Sequence, residues 1–183
     1  SINKKQIVIR EKKILKILKE LFDEFNKNKI NYFIDRSSLL AMIRGQSFAE
    51  LSDVDISVSI ENYNQFLGIL KNIAKKFEVK VKGKKIIFKK KKYNQYYITK
   101  KANILIEEPP MIDFILRSYG AKKVKSIGIK LNDVKIGHLK EMKYFFYKNL
   151  KFLVPKNPNR YLQSIYGVNW KEKNDYYLKS SRI

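Results

Sequence analysis

The chain has 183 residues, the length of one ordinary domain, and its 44% hydrophobic and 13% aromatic content can form a core, which excludes disordered, collagen-like and low-complexity classes. The absence of cysteine excludes a disulfide frame and a thiolate zinc site, and no apolar run reaches the ~18 to 20 residues that span a bilayer, so the expected setting is cytoplasmic. The formal charge of +23, from 40 Lys+Arg against 17 Asp+Glu, suggests a phosphate-bearing partner: nucleic acid, anionic lipid or a small substrate. Only six of those cations are arginine, whose planar fork bidentate phosphate and base recognition favours, so the basic surface ranks below a site argument.

From Ile14 onward, Ile14, Leu15, Ile17, Leu18, Leu21, Phe22 and Phe25 recur at helical spacing in "ILKILKELFDEFNK", which predicts an amphipathic helix ending at "NKNK". "NYFI" reads as a short strand, and "RSSLLAMIRG" as a helix opened by serines and closed by Gly45. In "DVDISVSI", Val54, Ile56, Val58 and Ile60 alternate with Asp53, Asp55, Ser57 and Ser59. This predicts a strand whose apolar side packs and whose polar side faces a cleft or solvent. "ENYNQFLGILKNIAKKF" follows as a helix with Phe66, Leu67, Leu70, Ile73 and Phe77 as its buried stripe. "EVKVKGKKIIFKK" looks like a hairpin turning near Gly83, and "QYYIT", "NILIE" and "MIDFIL" like further strands. In the last third, "KFLVP" reads as a strand and "NPN" sets a helix, with Asn157 as cap, Pro158 in the first turn and Gly167 at the end. Residues 170–183 read as a polar tail or a short helix. No repeat or linker marks a second domain, so the expectation is one α+β domain over residues 1–183, a mixed sheet flanked by helices with a C-terminal helical segment.

Asp is depleted in strand interiors, and Asp53 and Asp55 on one strand face lie about 6.5 to 7 Å apart at Cα. They repel unless a cation lies between them, and a hard divalent ion is the usual solution, Mg²⁺ first and Mn²⁺ as the alternative. A solvated strand end paired with lysines is the competing reading. Ser37 and Ser38 sit at a strand-to-helix junction, where free N–H groups and the helix dipole favour phosphate; simple capping competes. Asp113 lies amid Met111, Ile112, Phe114, Ile115 and Leu116, and an acid in such a strand needs a cation or a metal. It is favoured as third carboxylate over Glu107 and Glu108, which precede a Pro-Pro turn.

The segment "IDRSSLLAMIRGQSFAELSDVDISV" resembles the signature of the LicD/fukutin-related family, in which "G-T-L-L-G-x-x-R" runs through a short loop to a "D-x-D" strand. The ending "YKNLKFLVPKNPNRYLQSIYGVNW" is similar to that family's closing "V-P-x-N", "YL" and "YG". Ser37 and Ala41 stand where the family carries glycine. The resemblance implies a nucleotidyltransferase-like fold, with Asp53, Asp55 and Asp113 as catalytic metal ligands and Ser37, Ser38 and Arg44 on the phosphate side. It also implies a Mg²⁺-dependent transfer of phosphocholine, ribitol phosphate or glycerol phosphate. The donor would be a CDP-linked alcohol and the acceptor a hydroxyl of a glycan or lipid-linked saccharide, with peripheral contact at the inner face of an anionic membrane. A nucleotidyltransferase acting on RNA, DNA or a small molecule is the enzyme rival. A non-catalytic basic nucleic-acid-binding module is the rival of another class. Arg44 also suits a helix C-terminus without any ligand. His138, the single histidine, reads as a surface or structural residue. Tyr93, Tyr96 and Tyr97 read as strand packing, and the lysine run from Lys84 to Tyr93 as a guarded hairpin edge.

Overall fold

A computed structural model describes residues 3–51, 53–77, 79–99 and 111–172. Helix α1 (Lys4–Lys27) starts well before its apolar stripe, because Asn3 and Gln6 form a reciprocal capping box that satisfies its first turn. Strand β1 (Tyr32–Ile34) leads into α2 (Arg36–Ile43), and β2 (Asp53–Ser59) into α3 (Tyr63–Phe77). Strands β3 (Lys80–Phe88), β4 (Lys91–Thr99), β5 (Met111–Tyr119), β6 (Lys123–Ile127) and β7 (Val134–Lys135) follow. The chain then forms β8 (Met142–Tyr147), β9 (Leu150–Pro155), α4 (Pro158–Tyr166) and a short 3₁₀ turn at Trp170–Glu172.

The main sheet runs β1-β2-β5-β4-β3, with β6 and β7 continuing from the far half of β5, while β8 and β9 form a separate ribbon. Only β2 and β5 pair in parallel; every other ladder is antiparallel. The result is an α+β fold built on a mixed sheet. On one face, Phe114 of β5 meets Phe25 of α1 and Phe66 of α3, with ring centroids 6.5 and 4.9 Å away. Val54, Ile56 and Val58 are buried on that face, as their alternation predicts. On the other face, Phe33 of β1 meets Tyr161 of α4 edge-on at 5.8 Å.

Three sequence expectations change, and a fourth falls outside the described residues. The polar side of β2 is not a solvent face, because Asp55, Ser57 and Ser59 are buried along with the apolar side. The hairpin does not turn at Gly83, which sits inside β3 opposite Tyr96, where a Cβ would come within 2.9 Å of the Tyr96 ring. The turn is made by Lys89 and Lys90, both in the left-handed region at φ 47° and 65°. The cap of α2 is Asp35, whose side chain accepts from the Arg36 N–H, and not a serine. "NILIE", together with Glu107 and Glu108, lies outside the described residues, as do residues 173–183. Among the described residues, no helix is long and apolar enough to cross a membrane.

Candidate metal centre

The parallel register of β2 and β5 places Asp55 opposite Asp113 and Asp53 opposite Met111. Paired residues of neighbouring strands point to the same face, so three carboxylates gather at one end of the sheet. One oxygen from each of Asp53, Asp55 and Asp113 lies within 4.8 Å of the others, with Asp55 buried and the other two half-buried. The sequence singled out these three separately; the strand pairing brings them together.

Helix α2 is stitched to this point by its first turn. The Asp35 N–H donates to the Asp55 carbonyl at 3.1 Å, and the Asp55 N–H donates to Ser38 Oγ at 2.8 Å. Ser37 Oγ donates to a carboxylate oxygen of Asp55 at 3.4 Å. Ser38 is wholly buried and its hydroxyl pins strand to helix, whereas Ser37 keeps a partly open position beside the aspartates. The Arg36 N–H is taken by the Asp35 carboxylate at 2.7 Å, and the positive end of α2 lies beside the cluster at Ser37. Arg44 stands at the other end of α2, about 12 Å of helix away, and donates to the carbonyls of Trp170 (3.2 Å) and Lys171. There it holds the C-terminal turn.

Sequence reasoning passed over Asp35 and Arg117, and set Arg36 aside because no motif matched it, although its position could reach the same cleft. The Asp35 carboxylate, fully buried, accepts from Ser57 Oγ at 2.6 Å, from Arg117 Nη2 at 2.7 Å and from the Tyr161 hydroxyl. Arg117 Nε donates to Ser57 Oγ at 3.1 Å. This network fills the space under the α2–α4 side of β2 and fixes where β2, β5 and α2 meet. The rule that flagged Asp113, a charge amid apolar residues, also applies to Arg117 in "FILRSY" and to Asp35 after "YFI". Arg36 adopts φ 52°, a strained value for a side-chain-bearing residue, and its guanidinium lies 5.5 Å from the Tyr166 ring centre.

The electrostatics separate the two buried aspartates. Burial pushes the Asp55 carboxyl well above the usual carboxylate range, and the charges of Asp53, Asp113 and Asp35 push it further, against a pull from Arg36. Burial would raise Asp35 as well, but the Arg117 charge, then Arg36, then hydrogen bonds from Ser57 and Tyr161 hold it below its ordinary value. Asp55 is therefore less compensated than Asp35, which Arg117 pairs directly at 2.7 Å. The donor set around Asp55 is three hard carboxylate oxygens without imidazole or thiolate, which suits a hard divalent ion. Ligand oxygens about 2.1 Å from an ion lie about 3 to 4.2 Å apart, so a spread within 4.8 Å is near that spacing. The chain matches no protein-family model and no curated protein.

Proposed function

We propose that the protein is a Mg²⁺-dependent phosphotransferase that moves a phosphoalcohol (phosphocholine, ribitol phosphate or glycerol phosphate) from a CDP-activated donor to a hydroxyl of a glycan. The observation that carries this reading is the Asp55–Asp113 register, which gathers three carboxylates beside the first turn of α2. The resemblance of residues 34–58 and 147–170 to the LicD/fukutin-related family supplies the reaction class.

In this reading Asp53, Asp55 and Asp113 hold the ion, with Mn²⁺ as an alternative occupant, and when bound it neutralises the donor diphosphate. The N–H groups and the Ser37 hydroxyl at the start of α2 orient a phosphate oxygen. The acceptor oxygen bonds to the phosphorus nearest the small alcohol, the bond from that phosphorus to the bridging oxygen breaks, and CMP leaves with the electron pair. Asp113, more open than Asp55, takes the hydroxyl proton. Ser38, Asp35 and Arg117 position the strands without touching substrate.

The test is thermal shift and turnover with CDP-choline, CDP-ribitol and CDP-glycerol, with and without Mg²⁺. One donor is expected to raise the melting temperature only with the ion present, and Asp53→Ala is expected to lower turnover by more than about 100-fold while the fold remains. If only ATP or CTP gives the metal-dependent shift, the site belongs to nucleotide transfer instead. If none does, and RNA binding survives Asp53→Ala with a steep salt slope, the basic-module reading takes its place.

A further inference from the structure

A second hollow lies at the opposite end of α2 from the aspartates. It is a cavity of about 820 Å³, roofed by the last residues of α2, the turn carrying His138, strand β8 and the entry to α4. That volume lies in the range of small-molecule sites. Four fixed cations line it, Lys140, Lys143, Lys156 and Arg160, against one carboxylate, Glu141. Glu141 is already held by Lys156 at 2.6 Å, whereas Lys140, Lys143 and Arg160 form no ion pair among the described residues. The cavity therefore carries uncompensated positive charge at close quarters, unlike lysines spread over a convex surface.

Two further features give the site shape. Helix α4 begins in the wall: Asn157 caps the Arg160 N–H at 3.1 Å, Pro158 has no N–H, and residues 157–160 line the hollow, so the positive helix end lies in its wall. The remaining wall is apolar, formed by Met42, Ile43, Pro158 and Phe145, and the Phe145 ring is braced 5.8 Å from that of Phe152. A bare inorganic anion would use the rim and leave this wall wet. We infer that the cavity binds an organic phosphate, its phosphomonoester seated between Lys140, Lys143, Arg160 and the start of α4 and its body against Phe145 and Met42. This site is basic where the aspartate site is acidic, so it binds its ligand without a divalent ion, and it stands independently of the transferase reading.

The chain's single histidine lines this cavity and serves as a built-in reporter. Partial burial, then the charges of Arg160 and Lys135, hold the His138 ring below its ordinary pKa. The experiment follows the His138 ring signal by NMR in the full chain, in EDTA, with three titrants: AMP, adenosine, and phosphatidylcholine vesicles doped with phosphatidic acid. AMP is expected to shift the signal saturably and to raise the His138 pKa, while adenosine does neither. Lys143→Ala/Arg160→Ala, two exposed positions, is expected to keep the melting temperature and to weaken AMP binding by at least about tenfold. A response to AMP identifies a soluble organic phosphate, and a response to the vesicles alone identifies a phospholipid headgroup; either supports the site. Silence towards both titrants, an equal response to adenosine, or a response that survives in the double variant overturns it.

Discussion

Asp35 and Asp55 are both buried and joined through one backbone hydrogen bond of 3.1 Å, yet their carboxyls are displaced in opposite directions. The folded pKa of Asp35 is depressed, so its ionised form stabilises the fold above the unfolded carboxylate value of about 3.9, and that stability is lost as pH falls through the folded value. The folded pKa of Asp55 is raised, so the metal-free protein binds its proton more tightly than the unfolded chain and loses stability as pH rises above the unfolded value. Two substitutions separate these effects. Arg117→Met leaves the Asp35 charge buried without its cation, and is expected to cost about 3 to 5 kcal/mol, read as a lowered urea midpoint. Asp55→Asn removes the unfavourable ionisation, so in EDTA at mildly alkaline pH it should melt above the wild type, and it should lose any stabilisation by Mg²⁺. A wild type that melts at the same temperature as Asp55→Asn across that pH range would show that Asp55 carries no such strain. Arg117 Nη1, buried without a hydrogen-bond partner among the described residues, adds to the cost of this network.

The elements differ in how much of them a sequence can announce. Strand β2 and helix α3 were legible because alternation and helical spacing record a buried face directly. Asp53, Asp55 and Asp113 stood out because carboxylates are rare among apolar strand residues. What covers the second face of β2 was not legible, since Ser57 and Ser59 look the same whether water or Arg117 meets them, and that depends on β5 and α4 arriving from far along the chain. Asp35 was overlooked because the serines after it offered a more familiar cap. The β3–β4 turn misled for a related reason: Gly83 marks a close approach to the Tyr96 ring, while the residues at the turn are lysines with no turn chemistry. Both lysines have positive φ, which costs an L-residue about 1 to 2 kcal/mol each in that region. Lys89→Asn/Lys90→Gly is therefore expected to raise stability by about 1 kcal/mol or more, seen as a higher denaturant midpoint with an unchanged slope. A lowered midpoint would place the turn elsewhere.

At the scale of the whole molecule, the chain gathers carboxylates into one small site while carrying a formal charge of +23. Such an excess strains the compact state through self-repulsion and draws anions to any concave part of the surface, the cavity beside α4 included. The two ends of α2 thus meet opposite fields, acidic at Ser37 and basic beyond Met42. The parallel pairing of β2 with β5 also sets an order of events in time. Asp55 and its partner Asp113 are separated by 113 − 55 = 58 positions, and antiparallel β3–β4 closes locally between them. Local hairpins form in microseconds, whereas a parallel ladder between distant segments waits until the loop entropy between them has been overcome. No pair of the carboxylates that includes Asp113 exists before that ladder does. In refolding from urea, Mn²⁺ uptake read by loss of its EPR signal should therefore coincide with the slowest phase, alongside the fluorescence of the buried single tryptophan, Trp170. Uptake in the dead time would mean that the ion organises the chain before the sheet does. The late pairing implies the reverse: for most of folding the three carboxylates stand apart, and a nascent chain released short of β5 would hold only Asp53 and Asp55 of the three.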